Sequence, residues 1–196
     1  MELSFSAPCE RNKQPILELL THELAQCKTV LEIGSGTGQH VVHSARSLAD
    51  IEWQPTERAE GLASLQARIV AEAPANVRPA KLLDVTDQDW LGQYDAVFSS
   101  NTLHIMSWEA VRAFFLGVGR ALSPSGCLCV YGPFLYKGGQ TAASNLDFDR
   151  SLRDRDPLSG LRSFDAVNAL AAEQALMLQA DHTMPANNQL LIWRRA

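Results

Sequence analysis

Glu32, Gly34, Ser35, Gly36 and Gly38 lie in the run Val30-Leu-Glu-Ile-Gly-Ser-Gly-Thr-Gly38, where an apolar stretch carrying one acid enters a Gly-x-Gly-x-Gly turn. Glycine is needed there because the turn uses backbone angles closed to other residues, and because a Cβ would hold a ligand away from the main chain. A helix-like stretch with Val41, Val42, Ala45 and Leu48 follows. A strand–turn–helix of this kind is where an open α/β sheet holds an adenosine cofactor. The spacing argues against NAD: the third glycine comes two residues after the second and is followed by Gln39, so G-x-G-x-x-G is absent. A carboxylate two residues before the first glycine would repel a pyrophosphate, yet it can help hold a cation.

Other residues with chemical potential fall at the ends of expected strands, where ligands bind in open α/β sheets. Glu57, about 20 residues past the glycines, is placed to accept two ribose hydroxyls; the alternative is a solvated surface acid. Asp84-Val85 ends the third strand; the alternative for Asp84 is a helix N-cap before Thr86. Asn101 offers an amide to an amino or carboxylate group, and His104 is a weak candidate general base, or else a structural histidine. Tyr131, Phe134 and Tyr136 are candidates for a substrate-pocket wall, or for ordinary core. Near the N-terminus, Arg11 can clamp a carboxylate with Asn12 beside it. His40 and His43 are three apart on one helix face but lack a third ligand nearby, so they read as a surface or partly buried pair and no metal is expected.

The elements that position these residues are read from periodicity. Helices are expected over 11–26, 37–49, 59–73, 107–122 and 164–175, and strands over 28–33, 51–55, 77–83, 94–100, 127–132, 176–183 and 189–194. Pro15 is placed in the first turn of the first helix, Pro55 at the end of the second strand, and a turn at Pro124-Ser125-Gly126. Residues 133–160, with Gly138-Gly139, read as a long polar connection, a lid or substrate segment in which Ser144 caps a short helix; Ser163 caps the next one. A tight turn at 185–188 makes the last two strands pair antiparallel. Short alternation of strands and helices implies α/β architecture: a mostly parallel sheet covered on both faces, in one domain spanning 1–196, with an N-terminal segment and helix over 1–27. Cys127 and Cys129 alternate on one strand and so point to one face.

At these residues the chain resembles the class I S-adenosylmethionine-dependent methyltransferases, whose first motif is an acid, one residue, then Gly-x-Gly-x-Gly. Nearly the whole chain further resembles a small, single-domain, methyltransferase-like family long described as of unknown function. The resemblance rests on Ser6-Ala-Pro-Cys-Glu-Arg-Asn12, Leu31 to Gly38, Trp53-Gln-Pro-Thr-Glu57, Asn101-Thr-Leu-His-Ile105, Tyr131-Gly-Pro-Phe134, and Ser144-Asn-Leu-Asp-Phe-Asp149 continuing through Arg155-Asp-Pro157 to Gly160. It implies a seven-stranded, mostly parallel, doubly wound Rossmann-like sheet with a C-terminal antiparallel hairpin. It also implies S-adenosylmethionine as cofactor, an acid after the second strand on the ribose, and Asp84 on the adenine amine with the Val85 N–H on a ring nitrogen. The family usually carries Asp where this chain has Glu57, which keeps the charge and lengthens the reach. The expected activity is methyl transfer to a small-molecule acceptor, with residues 133–160 and Pro8 to Asn12 closing the pocket. The alternative is a non-catalytic cofactor-binding sensor or partner protein.

Bulk properties bound the reading. With 196 residues the chain can bury a substantial core. Its formal net charge of −5 and lack of basic runs argue against general nucleic-acid binding. No signal-peptide pattern and no apolar membrane-spanning run are read, and four scattered cysteines read as buried free thiols, so a cytoplasmic location is expected.

Overall fold

The computed structural model describes residues 3–88, 90, 92–138 and 141–196; Gly139 of the expected polar connection lies outside them. In chain order the elements are α1 (Ala7–Glu23), β1 (Thr29–Ile33), α2 (Gln39–Ser47), β2 (Glu52–Glu57), α3 (Ala59–Glu72), β3 (Lys81–Leu82), β4 (Tyr94–Ser100), α4 (Trp108–Ala121), β5 (Leu122–Gly132), β6 (Phe134–Leu135), α5 (Ala143–Arg155), β7 (Arg162–Ser163), α6 (Phe164–Glu173), β8 (Leu176–Met184) and β9 (Asn188–Arg195). Seven strands form one sheet in the order β3-β2-β1-β4-β5-β9-β8. The first five run parallel, and β9 pairs antiparallel with both β5 and β8. The chain turns outward to β2 and β3 on one side of β1 and to β4 and β5 on the other. A crevice therefore opens at the carboxyl ends of β1 and β4, the switch point where such sheets bind ligands.

Strand periodicity sorts the core into two layers. Val30, Ala96, Phe98, Cys127 and Cys129 face Ile16, Leu20, Val41 and Leu65 of α1, α2 and α3. Leu31, Ile33, Val97, Leu128 and Val130 face Phe114, Phe115 and Val118 of α4 and Val167 and Leu170 of α6. Each such fully buried side chain contributes about 1.5–3 kcal/mol of apolar burial. Glu32 has the parity of Val30, so its carboxyl lies on the α1–α3 side at the end of β1. Among the described residues no helix is long and apolar enough to cross a membrane.

Several expected boundaries are corrected. The first helix starts at Ala7 rather than 11: Ser6 is its N-cap, its Oγ accepting from Cys9 N at 3.4 Å, and Pro8 occupies the first turn while Pro15 lies in mid-helix. Pro55 does not end the second strand, which runs on to Glu57. The missing N–H of Pro55 falls on the β3 side, where Pro79 interrupts the ladder and the Gln54 amide donates to the carbonyls of both prolines. The third strand correspondingly shrinks to Lys81–Leu82 plus an isolated bridge at Val77. Pro124-Ser125-Gly126 is a bulge inside β5, with Ser125 at φ +62° and a register jump against β4. Residues 133–160 hold β6 and the 13-residue α5. Ser144 does not cap α5; the cap position is Ala142, and Ser144 Oγ accepts from Asn187 Nδ2 at 2.9 Å. Ser163 sits at the cap position of α6, but its side chain accepts no capping bond.

Candidate functional site

The turn after β1 is left-handed at all three glycines. A Cβ on Gly34 would meet Thr102 Cγ2 at 2.7 Å, so this glycine allows the β1 and β4 ends to pack. A Cβ on Gly36 would meet nothing within 4 Å, because that position opens into the cleft. Two bonds stitch the turn to β2: Ser35 N donates to Thr56 O at 2.9 Å, and Thr56 N donates to Ser35 Oγ at 3.2 Å. Glu57 then reaches back, accepting from Gly36 N at 2.6 Å through Oε2 and from Arg58 N at 2.9 Å through Oε1.

The cleft above this turn has a volume of about 770 Å³, within the range of small-molecule sites. Glu32, 2% exposed, lines it. Its Oε2 has no hydrogen-bond partner among the described residues. Burial pushes its pKa up to about 7; the Ser35 hydrogen bond opposes the shift and the Glu57 charge adds to it. At the end of β4, Ser99 Oγ donates to Ile33 O at 2.8 Å and shares a 2.6 Å bond with Thr102 Oγ1. Asn101 takes φ +58°, a conformation asparagine tolerates, and its N–H donates to Tyr131 O at 2.9 Å.

Glu32, Gly34, Ser35, Gly36, Glu57, Asp84, Val85 and Asn101 therefore line one cleft. Gly38 lies behind it, closing the turn against Leu65 and Arg68 of α3. Asp84 closes a local turn and caps no helix, since residues 85–88 are not helical: Oδ1 accepts from Thr86 N at 3.0 Å and Thr86 Oγ1 at 2.7 Å, and these bonds hold its carboxyl below the usual range. Its Oδ2 lies 3.5 Å from Arg58 Nε.

The remaining candidates do not line the cleft. Arg11 is exposed on α1, and Asn12 sits beside the hydroxyl of Tyr131. Tyr131 and Phe134, each 2% exposed, are core residues of opposite layers. Tyr136 stacks on Phe164 at 5.1 Å and donates its hydroxyl to Asp181 Oδ2 at 2.7 Å. His104 is buried edge-on to Phe148 at 5.4 Å. Burial, with Arg162 and Arg155 nearby, depresses its pKa to about 4.

At the N-terminus Pro8 to Asn12 is helical and meets the cleft through Cys9, and Ser4 and Ser6, just before the helix, line it too. Arg68 Nη2 donates to Ser4 O at 2.6 Å, Ser64 Oγ to Ser4 Oγ at 2.7 Å, and Ser6 N to Gln39 Oε1 at 2.6 Å. Ser4, Ser6 and Cys9 line the cleft. So does His40, 4% exposed, with Nε2 3.3 Å from Ser100 Oγ; burial keeps it neutral, its pKa near 4. Ile105, Met106 and Ser107 also line the cleft, on the loop that follows β4 after residues 101–104. Asp156 and Leu158, also in the cleft wall, belong to the 133–160 segment expected to close the pocket.

Over residues 3–195 the chain matches the family described as "Protein of unknown function (DUF938)", and it belongs to that family. Among solved structures it is similar to an O-methyltransferase family protein from Burkholderia thailandensis (17% identity, TM-score 0.82, 96% of this chain and 57% of that one). It is similar also to human N-acetylserotonin methyltransferase in complex with SAM (13% identity, TM-score 0.80, 96% and 52%) and to PigF with SAH (15% identity, TM-score 0.80, 95% and 56%). The chain spans little more than half the length of these proteins. The likeness shows a Rossmann-like methyltransferase fold.

Proposed function

We propose that this member of a family of unknown function is an S-adenosylmethionine-dependent methyltransferase acting on a small-molecule acceptor. The observation that carries the reading is Glu32: a carboxyl buried at the cleft floor, with one oxygen lacking a partner among the described residues. A buried acid of this kind suits an incoming ammonium group, since unpaired buried polar atoms are costly. The donor set beside it fits the rest of the cofactor. Both oxygens of Glu57 already accept a backbone N–H and keep lone pairs for a ribose diol, and Asp84 with Val85 offers an acceptor and a donor to an adenine edge. When bound, the cofactor supplies an activated methyl group on a sulfonium.

The chain's own part is binding, alignment and exclusion of water, and orientation accounts for much of the rate in such transfers. Gly34 and Gly36 admit the ligand to the main chain. Ser99 and Thr102 fix the end of β4. Ser4, Ser6 and Cys9 and the Ile105–Leu158 side wall the cleft. The absence of His104 from that cleft favours a second reading, a binding protein without catalysis. Calorimetry with S-adenosylmethionine, S-adenosylhomocysteine and NAD tests the site; tight binding of NAD alone would overturn the assignment. Mass spectrometry of metabolite extracts incubated with protein and S-adenosylmethionine then separates enzyme from sensor, because only an enzyme yields methylated products.

A further inference from the structure

We propose that the outer rim of the cleft is the acceptor subsite and takes a small amphiphilic cation, an apolar body bearing an ammonium group. The proposal rests on the reading above and names the acceptor class of that site. The cleft residues sort by depth. Glu32, Ser35 and Thr102 at the floor are 2%, 6% and 6% exposed, whereas Ile105 and Leu158, on the same cleft, are 59% and 63% exposed. The polar groups suited to the cofactor lie deep, and open aliphatic surface is left at the mouth, where a second molecule enters. Large apolar side chains open on the wall of a pocket offer surface that an apolar ligand can cover.

Charge narrows the ligand. Among the described residues lining the cleft, four are acids (Glu32, Glu57, Asp84 and Asp156) and one is a cation, Arg58, which is engaged with Asp84 and Glu60. A cleft lined mainly by one sign of charge repels ligands of that sign and gathers the opposite one. Asp156 stands beside the aliphatic pair. Its Oδ1 accepts from Leu158 N and its Oδ2 from Ser159 Oγ, both at 3.0 Å, and each oxygen retains capacity for a further donor.

The rim is a fixed structure. Arg162, 8% exposed, donates Nε to Leu103 O at 3.0 Å and Nη2 to Leu158 O at 3.0 Å and to Met106 O. Gly160 N donates to His104 O at 2.9 Å. A buried guanidinium is tolerated only when its donors are satisfied, and here it joins the loop after β4, which carries Ile105, to the segment after α5, which carries Leu158.

The test uses three probes that share one apolar body: phenethylamine, phenethyl alcohol and phenylacetate, titrated by calorimetry into the protein saturated with S-adenosylhomocysteine. The amine should bind at least tenfold more tightly than phenylacetate, with the alcohol between them. Asp156→Asn should reduce the amine to the level of the alcohol while leaving the alcohol in place. Leu158→Ser should weaken the amine and the alcohol together. Phenylacetate binding as well as the amine, equal losses for all probes in Asp156→Asn, or no binding by any probe would each overturn the proposal. Failure of S-adenosylhomocysteine to bind would instead overturn the cofactor reading, and the ranking of the three probes on the free protein would still decide the rim.

Discussion

Glu32→Gln removes a proton-binding site created by burial. The carboxyl has a pKa of about 7 in the folded protein against an ordinary 4.5, with desolvation the main cause. Between those values the native state holds a proton that the unfolded chain has released. Native protein therefore binds more protons than unfolded protein, and stability falls as pH rises through the window. The shift, 7 − 4.5, is about 2.5 units, and at about 1.36 kcal/mol per unit it sets a ceiling of roughly 3 kcal/mol on the destabilisation above pH 7. Glutamine has no charge to desolvate. The variant and the parent should melt together near pH 4, below the window, and at pH 8 the variant should be the more stable by up to that amount. At about 2–4 °C per kcal/mol for a chain of this size, the gain is several degrees in Tm. Ligand binding runs the other way. An ammonium group favours ionised Glu32, so the affinity of the parent for S-adenosylmethionine should rise from pH 6 to 8, by up to about tenfold per unit below pH 7, with proton uptake by the buffer. Glu32→Gln should bind more weakly and without that slope. Calorimetric melts at pH 4 and 8 and titrations in two buffers of different ionisation heat measure both effects. A variant no more stable than the parent at pH 8, together with a flat affinity profile for the parent, would refute the reasoning.

Gly36→Val should abolish S-adenosylhomocysteine binding in calorimetry while the protein still folds, at a strain cost of about 1–2 kcal/mol for a left-handed residue, because its side chain enters open cleft. Glu57→Ala should weaken S-adenosylmethionine by roughly 1–3 kcal/mol and a 2′-deoxy analogue much less; equal losses count against a ribose role. Deleting residues 1–5 leaves the Ser6 cap in place and removes the Ser4 bonds to Arg68 and Ser64, so Tm should change little while cofactor affinity falls. Hydrogen exchange should show residues 3–6 gaining protection when S-adenosylmethionine is added; unchanged exchange and unchanged affinity of the shortened chain would reduce the strap to a helix lead-in.

Features set by local requirements were legible in the chain. The glycine turn announces itself because its backbone angles admit few residues, and the terminal hairpin because its turn residues do. Period-two alternation gave Cys127 and Cys129 one face, and the same parity places Tyr131 in the core rather than at a pocket wall. The start of α1 was missed because apolar periodicity begins only at Ile16, whereas the cap at Ser6 and the proline at the first turn already start the helix. The helical nature of α5 was understated because it buries only Asn145 and Leu152, too little to write a stripe.

The cleft itself depends on contacts between residues far apart in sequence. Arg68 brings Ser4 over the glycine turn across 64 positions, and Arg162 brings Leu158 against a loop more than 50 positions earlier. No local pattern encodes such pairings, since each is a single donor meeting carbonyls that every residue possesses. Glu32 shows the division in one side chain. Its type and its place before the glycines are sequence facts. Its raised pKa, and an oxygen without a partner among the described residues, arise only when two packed layers and the ends of β2 and β4 take water away from it.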